Sequence, residues 1–418
     1  MIADIINIGD ELLIGQVINT NASWLAGKLN SIGIKVRQIT AISDSADHIT
    51  NAIDEAFVHS DLVILTGGLG PTKDDITKYT LAAYFNSPLV MHEPTLQHVE
   101  HFFIQRGRKI TELNRKQAEI PACCEPLPNS NGTAPGMWFE KDSKILISVP
   151  GVPYEMKALC EDHILPRLAA MINGDVIIHK TVLTHGIGES FLADLIAAWE
   201  DNLPSNLRLA YLPQPGIVRL RLTATGNHKS GLEEMLANQI EQLKKIIPDV
   251  IFGYDSDTLE QVTGGLLKQS GTTLCTAESC TGGYLAHMIT KVPGSSGYFM
   301  GSSITYSNEL KISLLGVNPG LLDLHGAVSR EVVEAMAVSA KEKLQATYAL
   351  ATSGIAGPTG GTPDKPVGTV WIALAGPKGV ESRHFLFGSH RERNIHITAL
   401  AALNLLRITL NRDFPGKI

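Results

Sequence analysis

Residues 61–75 read Asp61-Leu-Val-Ile-Leu-Thr66-Gly-Gly-Leu-Gly-Pro71-Thr-Lys-Asp-Asp75. The unbroken apolar run Leu62 to Leu65, without polar alternation, predicts a short strand buried on both faces that empties into a glycine turn. Working outward, Ala3 to Ile8 is a similar run ending in Gly9-Asp10, and Val36 to Ile42 is a further strand candidate. Asn19 to Leu29 and Asp47 to Val58 carry apolar residues near helical spacing between them. Strands alternating with helices predict a parallel sheet covered on both faces. Ligands bind such sheets beyond the carboxyl ends of the strands, where Gly9-Asp10-Glu11 and Gly67 to Asp75 lie. Lys144 to Val149 predicts another strand, followed by Pro150-Gly-Val-Pro153 and a helix to about Ile172.

Downstream the pattern changes twice. Gly174 to Gly253 reads as strand (Val176 to Leu183), helix (Glu189 to Trp199), strand (Ile217 to Ala224) and helix (Leu232 to Ile247). Its 7 Lys/Arg against 9 Asp/Glu give 7 − 9 = −2, and it has no G-x-x-G loop. A spacer or dimerisation module is therefore expected rather than an RNA-binding KH-like domain. A second α/β pattern follows, with helix Thr258 to Gln269, strand Thr272 to Thr276, a helix from Thr281, strand Ser303 to Tyr306, and helix Arg330 to Lys343. Strands Tyr348 to Thr352, Val370 to Ala375 and Arg383 to Phe387 precede a terminal helix. The expected class is α/β, with two distinct α/β domains (1–172 and 254–418) and a small α+β module (173–253) between them.

Composition narrows the function. The 418 residues carry 35 Lys+Arg against 42 Asp+Glu, a net charge of −7, with 44% hydrophobic residues. This is too apolar for a disordered chain, and at about 150 residues per domain it predicts two to four domains. The acidic balance offers no global field for phosphate backbones, so no direct nucleic-acid binding is expected. Ile395 to Leu410 is interrupted by His396, Asn404 and Arg407 and falls short of the roughly 20 residues of a spanning helix, so no membrane association is expected. Met1-Ile-Ala-Asp4 has no cationic leader, and five cysteines form no even framework, which together predict a cytoplasmic protein with reduced thiols.

Chemistry concentrates at strand exits. Cys275-Thr-Ala-Glu-Ser279-Cys-Thr-Gly-Gly283 stands where a strand hands over to a helix, and free N–H groups with the helix dipole suit an oxyanion or phosphate there. A plain N-cap at Ser279 or Thr281 explains the same residues. Gly294-Ser-Ser296, Thr305-Tyr306-Ser-Asn308 and Lys311 follow closely. A lysine beside a serine acts as a base when desolvation depresses its pKa. Cys280 is the rival nucleophile, but a thiolate usually has a histidine partner and none is near in sequence. Thr352-Ser-Gly-Ile-Ala-Gly-Pro-Thr-Gly-Gly361 lacks the G-K-[ST] ending of a Walker A loop, and Gly388-Ser-His-Arg391 offers an arginine fork for phosphate. In the N-terminal half, acidic pairs beside glycine turns suit a divalent ion shared with substrate phosphates, although helix capping by Asp74 and Asp75 and a turn at Asp10 account for the same pattern. The dinucleotide fingerprint is incomplete at Gly68-Leu-Gly-Pro-Thr-Lys73. His185, His325 and His396 share no ligand spacing.

At these residues the C-terminal half resembles that of the CinA (competence/damage-inducible protein A) family, members of which are nicotinamide mononucleotide deamidases. The matching stretches are Thr276-Ala-Glu-Ser-Cys-Thr-Gly-Gly283, Gly294-Ser-Ser296, Thr305-Tyr-Ser-Asn-Glu-Leu-Lys311, Gly326-Ala-Val-Ser329, Ser353-Gly-Ile-Ala-Gly-Pro358 and Lys365-Pro-Val-Gly-Thr369. The resemblance implies hydrolysis of the carboxamide of nicotinamide mononucleotide to nicotinic acid mononucleotide and ammonia, without a cofactor. It implies Ser279 as nucleophile, Lys311 as base, Tyr306 as an orienting hydroxyl and Arg391 as a clamp, with Thr281, Gly282, Ser296, Ser353 and Gly354 lining the substrate site. The N-terminal half looks like the molybdopterin-binding fold of the same family, through Gly9 to Leu13, Gly67 to Asp75, Asn114-Arg-Lys-Gln117, Asn131-Gly-Thr-Ala-Pro-Gly136 and Pro150-Gly-Val-Pro-Tyr-Glu-Met156. That likeness implies an ADP-ribose pyrophosphatase using cobalt or magnesium, with Gly68, Gly70, Thr72 and Asn114 on the substrate and Asp10, Asp74 and Asp75 on the metal. Asn19 stands where the motif would begin with an aspartate. A homodimer is expected. The alternatives are a molybdopterin-binding or non-catalytic N-terminal half and a competence-related interaction role.

Overall fold

The computed structural model describes residues 1–172 and 176–415. The chain is α/β and divides by its internal contacts into two compact units, Met1–Ile178 with Thr225–Leu232, and His179–Ala224 with Glu233–Ile418. The boundary expected after residue 172 adjoins residues 173–175, which lie outside the described residues.

In the first unit a six-stranded sheet runs in the order Lys35–Ile42, Ile2–Ile8, Leu62–Thr66, Lys144–Val149, Gly136–Lys141, Glu125–Leu127. The first four strands are parallel and the last two antiparallel. Strand alternation divides the apolar residues between two cores. Ala3, Ile5, Leu62, Ile64, Ile145 and Ile147 pack with the helix Thr20–Ser31, while Ile6, Ile8, Val63, Leu65 and Leu146 pack with Ala46–His59 on the other face. Double-sided burial explains the unbroken apolar runs. The helix expected to reach Ile172 is instead Pro153–Leu159, a π-turn Cys160–Ile164, and Leu165–Met171. Pro166 has no N–H to donate one turn back, so the coil widens there.

The second unit holds most of a four-stranded sheet, in the order Leu207–Gln214, Ile217–Gly226, Val176–His185, Ile251–Tyr254, and all of a five-stranded one, Phe299–Ile304, Leu274–Glu278, Tyr348–Gly354, Thr369–Gly376, Gly379–Leu386. The first three strands of the larger sheet are parallel, so the exits of Leu274–Glu278, Phe299–Ile304 and Tyr348–Gly354 share one edge. One face carries Leu274, Leu350, Ile372 and Leu374 against the terminal helix Arg391–Asp413. The other carries Cys275, Ala277, Ala349, Ala351 and Ala373, small residues that admit the helix Arg330–Lys343 closely. Two expected elements are displaced. The strand read as Ser303 to Tyr306 is Phe299–Ile304, and the helix read from Thr281 starts at Tyr284, because residues 279–283 form the turn.

Candidate active site

Ser279 immediately follows the strand Leu274–Glu278 and is 9% exposed; its N–H donates to the Thr352 carbonyl of the neighbouring strand (3.0 Å). Lys311 comes from the short helix Asn308–Ser313, capped by Ser307, and is 1% exposed. Its Nζ donates to Ser279 Oγ (3.1 Å), the Thr305 carbonyl (2.9 Å) and, at longer range, the carbonyls of Tyr306 (3.4 Å) and Ser307 (3.5 Å). Burial pushes the Lys311 ammonium below its ordinary range, opposed by Cys280 and Glu309. Cys280 is buried too, and its thiol is pushed up to about 12 by desolvation. At neutral pH it is therefore a neutral thiol rather than a nucleophile.

At the mouth, Arg391 opens the terminal helix and donates from Nη2 to Tyr306 Oη (2.9 Å) and from Nη1 to the Gly357 carbonyl (2.9 Å). Tyr306 is 57% exposed, so this cation and phenol face solvent beside the dyad. Thr281 Oγ1 pairs with Thr352 Oγ1 (2.7 Å), and Ser353 Oγ donates to the Ala327 carbonyl (2.7 Å). Gly354 is sterically required, since a Cβ there would lie 2.7 Å from Val370 Cγ2 and 2.9 Å from the Thr369 carbonyl. Gly282, at φ +59°, makes the left-handed step of the turn.

Two expectations change. Ser296 precedes the strand Phe299–Ile304, whose first residue pairs with Leu274 and whose last pairs with Glu278. It sits at the opposite edge of the sheet from Ser279, because the strand between them runs parallel. The helix start is also not free to hold an oxyanion. The Glu278 carboxylate, wholly buried, accepts the N–H groups of Gly283 (2.9 Å), Leu285 (3.1 Å) and Ala286 (2.8 Å). Among the described residues, the turn amides that donate to no oxygen of the protein are those of Cys280, which approaches its own sulfur, and Thr281.

In the first unit, Gly68, Gly70, Asp74 and Asp75 line a cleft of about 370 Å³ with Glu11, Asp44, Gln117, Thr133 and Glu155. Gly67, at φ +120°, would place a Cβ 2.2 Å from the Ile8 carbonyl, so the strand exit needs glycine. Asp75 is engaged by the N–H of Thr72 (2.9 Å) and by the Thr72 hydroxyl, and Asp10 lies off the lining, its N–H donating to Asp44 (3.1 Å). Asn114 is spent in a capping box with Thr111, and Gln117 of the same motif lines the cleft instead, 5% exposed with its Oε1 unpartnered. Burial raises the Asp44 pKa, with repulsion from Asp10, Glu11 and Asp74 adding to it. Asn19 caps the helix Thr20–Ser31. Among the described residues no three His, Cys, Asp or Glu side chains are already drawn together around a metal position; of the expected ligands, Asp74 and Asp75 line the cleft and Asp10 does not. Asp44 could have been found at the exit of Lys35–Ile42; Gln117 and Glu155 sat inside quoted motifs.

Comparison with known proteins follows this division. The profile described as "CinA C-terminal domain" matches residues 256–410, and "Probable molybdopterin binding domain" matches residues 4–170. "Damage-inducible protein CinA KH domain" matches residues 179–253, which corrects the expectation that the middle module is not KH-like. Charge and the missing G-x-x-G loop concern nucleic-acid contact, whereas the fold rests on the apolar pattern. A CinA-like protein of Cytophaga hutchinsonii is 47% identical over 405 residues, spanning 97% of each chain. One of Flavobacterium psychrophilum is 48% identical over 411 residues, spanning 97% of this chain and 98% of its own. Among solved structures, CinA of unknown function from Thermoplasma acidophilum is 37% identical, covers 38% of this chain and 94% of its own, and has a TM-score of 0.36. No described helix is long and apolar enough to cross a membrane. With near-full-length relatives at this identity and all three profiles matched in order, the chain belongs to the CinA family.

Proposed function

We propose that the C-terminal half hydrolyses the carboxamide of nicotinamide mononucleotide, giving nicotinic acid mononucleotide and ammonia. The observation that carries this reading is the 3.1 Å contact between Lys311 Nζ and Ser279 Oγ inside a desolvated strand exit. Once Lys311 has lost its proton, its lone pair takes the Ser279 proton as Oγ attacks the carboxamide carbon. The tetrahedral oxyanion is met by the N–H groups of Cys280 and Thr281, which no oxygen of the protein accepts, a role in which each donor is typically worth about 10²- to 10³-fold in rate. Lys311 then returns the proton to departing ammonia, and the same base activates the water that cleaves the ester. Arg391, braced by Tyr306, supplies a guanidinium at the mouth for the nucleotide phosphate.

The test is ammonia release from nicotinamide mononucleotide in the presence of chelator. Turnover is expected in the intact protein and its loss, by at least about 10³-fold, in Ser279→Ala and Lys311→Ala. Activity surviving in Ser279→Ala but lost in Cys280→Ala would overturn the assignment.

The N-terminal cleft favours a second reading, a metal-dependent ADP-ribose pyrophosphatase, because Glu11, Asp44 and Asp74 gathered at one cleft repel a diphosphate unless a cation accompanies it. ADP-ribose is expected to yield AMP and ribose 5-phosphate with cobalt or magnesium, with Asp44→Asn reducing the rate. ADP-ribose left intact under both metals makes this half a binding domain.

A further inference from the structure

We propose that Glu278 is a positioning residue for the amidase: its carboxylate, by occupying the start of the following helix, fixes the turn that presents the Ser279 hydroxyl and the Cys280 and Thr281 amides. This rests on the reading of Ser279 as nucleophile.

Glu278 is the last residue of the strand Leu274–Glu278, and alternation puts it on the same face as Leu274 and Thr276. The helix Tyr284–Thr290 covers that face, its Leu285, Met288 and Ile289 sharing a core with Leu274. The side chain therefore points under the helix start, and its two oxygens divide the work. Oε2 takes the N–H groups of Gly283 and Leu285, and Oε1 takes that of Ala286. The hydroxyls of Thr276 and Ser302 approach Oε1 at 3.4 Å. The carboxylate that takes these amides is itself 0% exposed.

The consequence falls on the five residues it encloses. Ser279 to Gly283 are tied at one end by the Ser279 N–H to Thr352 and inside by Gly282 N–H to the Ser279 carbonyl (3.1 Å). Gly282 and Gly283 both stand at positive φ, +59° and +97°, where the backbone is most free to choose another path. On the helix side the turn is held through the carboxylate, together with the Tyr284 N–H to the Thr281 carbonyl (2.9 Å) and the Thr281–Thr352 hydroxyl pair. An acidic residue that touches no substrate thus decides where the nucleophile and the oxyanion donors lie. Lys311 donates to Ser279 and to the carbonyls of Thr305, Tyr306 and Ser307, not to the Glu278 carboxylate.

Glu278→Gln keeps the side-chain volume but turns an N–H₂ toward backbone donors, so part of the triple contact is lost. The purified full-length variant is titrated with a serine-directed fluorophosphonate, which counts competent Ser279, and assayed for ammonia release across pH. The expected result is labelling that reaches the same stoichiometry more slowly, kcat per labelled site lower by about 10- to 100-fold as for a misplacement near 1 Å, KM within about twofold, and the ascending limb of the pH profile, set by Lys311 losing its proton, unmoved. If Glu278→Gln does not accumulate folded, Glu278→Asp, which keeps the carboxylate but shortens its reach, carries the test with the same signs. A kcat per labelled site equal to wild type overturns the inference by reducing Glu278 to a stabiliser of the fold. A moved pH limb overturns it in favour of a charge effect on Lys311. Wild-type protein that neither labels nor releases ammonia overturns the amidase reading itself, and this inference with it.

Discussion

Lys311 is where stability and chemistry conflict. An ammonium 1% exposed, facing the carbonyls of Thr305, Tyr306 and Ser307, is held by dipoles at close range, with attraction from the Glu309 carboxylate added from farther away. Its folded pKa lies below the ordinary 10.5 because burial penalises the charged form. Between the two values the unfolded chain binds more protons than the folded one, so stability rises with pH through that window. Lys311→Met removes this dependence. The variant's Tm relative to wild type should therefore be more favourable at pH 7 than at pH 10, and the wild-type amidase should gain kcat/KM along a limb below that of a free lysine. A Tm difference independent of pH would show that Lys311 is not desolvated. The sequence put Ser279, Lys311, Tyr306 and Arg391 in one argument, and the fold brings them together because three parallel strands exit at one edge. Ser296 escaped it because spacing carries no strand direction. The inertness of Cys280 and the occupation of the helix start by Glu278 arise from burial and long-range packing, which no motif encodes.

Elements were legible where their apolar period was strong. The strands Ile2–Ile8 and Leu62–Thr66 follow their continuous apolar runs, and the helix Arg330–Lys343 has the expected bounds. Elements that rely on partners were harder to read. Leu207–Gln214 contains Pro213 and runs toward Gly216, which reads as loop, yet it is the edge of its sheet, where a missing N–H costs no ladder bond. The short strands Glu119–Pro121 and Glu125–Leu127 also carry prolines, and they gain their structure by pairing with Leu89–Met91 and Gly136–Lys141. The helix Glu93–Gln105 lies in the same stretch and exposes most of its surface, with Val99 its buried residue, so its apolar stripe is too thin to announce it. The displaced strand Phe299–Ile304 takes its register from Leu274, a constraint outside its own residues.

In the second unit the KH-like module and the C-terminal domain share one core, and this sets how the molecule answers to damage far from the dyad. Leu183 and Phe252 of the module belong to the same cluster as Leu400, Leu403 and Leu406 of the terminal helix. Arg407, 4% exposed on that helix, donates to the Asp249 carbonyl (2.5 Å) and to Asn404 Oδ1 (2.9 Å), so a cation is committed to the junction. Arg407→Ala leaves the buried Asn404 Oδ1 unpaired, at about 1–3 kcal/mol, while the carbonyl of Asp249, an exposed residue, can turn to water. The urea midpoint should fall by a corresponding amount with the m-value unchanged, and amide exchange in Ile251–Tyr254 should quicken. Arg391 begins the same helix, and 407 − 391 = 16 residues at about 1.5 Å each separate the two side chains by roughly 24 Å. Over that length the helix is anchored independently by Ile397, Ala399 and Leu400, so the Arg391 contact to Tyr306 should persist and ammonia release per folded molecule should stay within about twofold of wild type. A fall in kcat matching the loss in stability would mean instead that the module braces the catalytic arginine through the helix. The junction would then belong to the amidase rather than only to the fold.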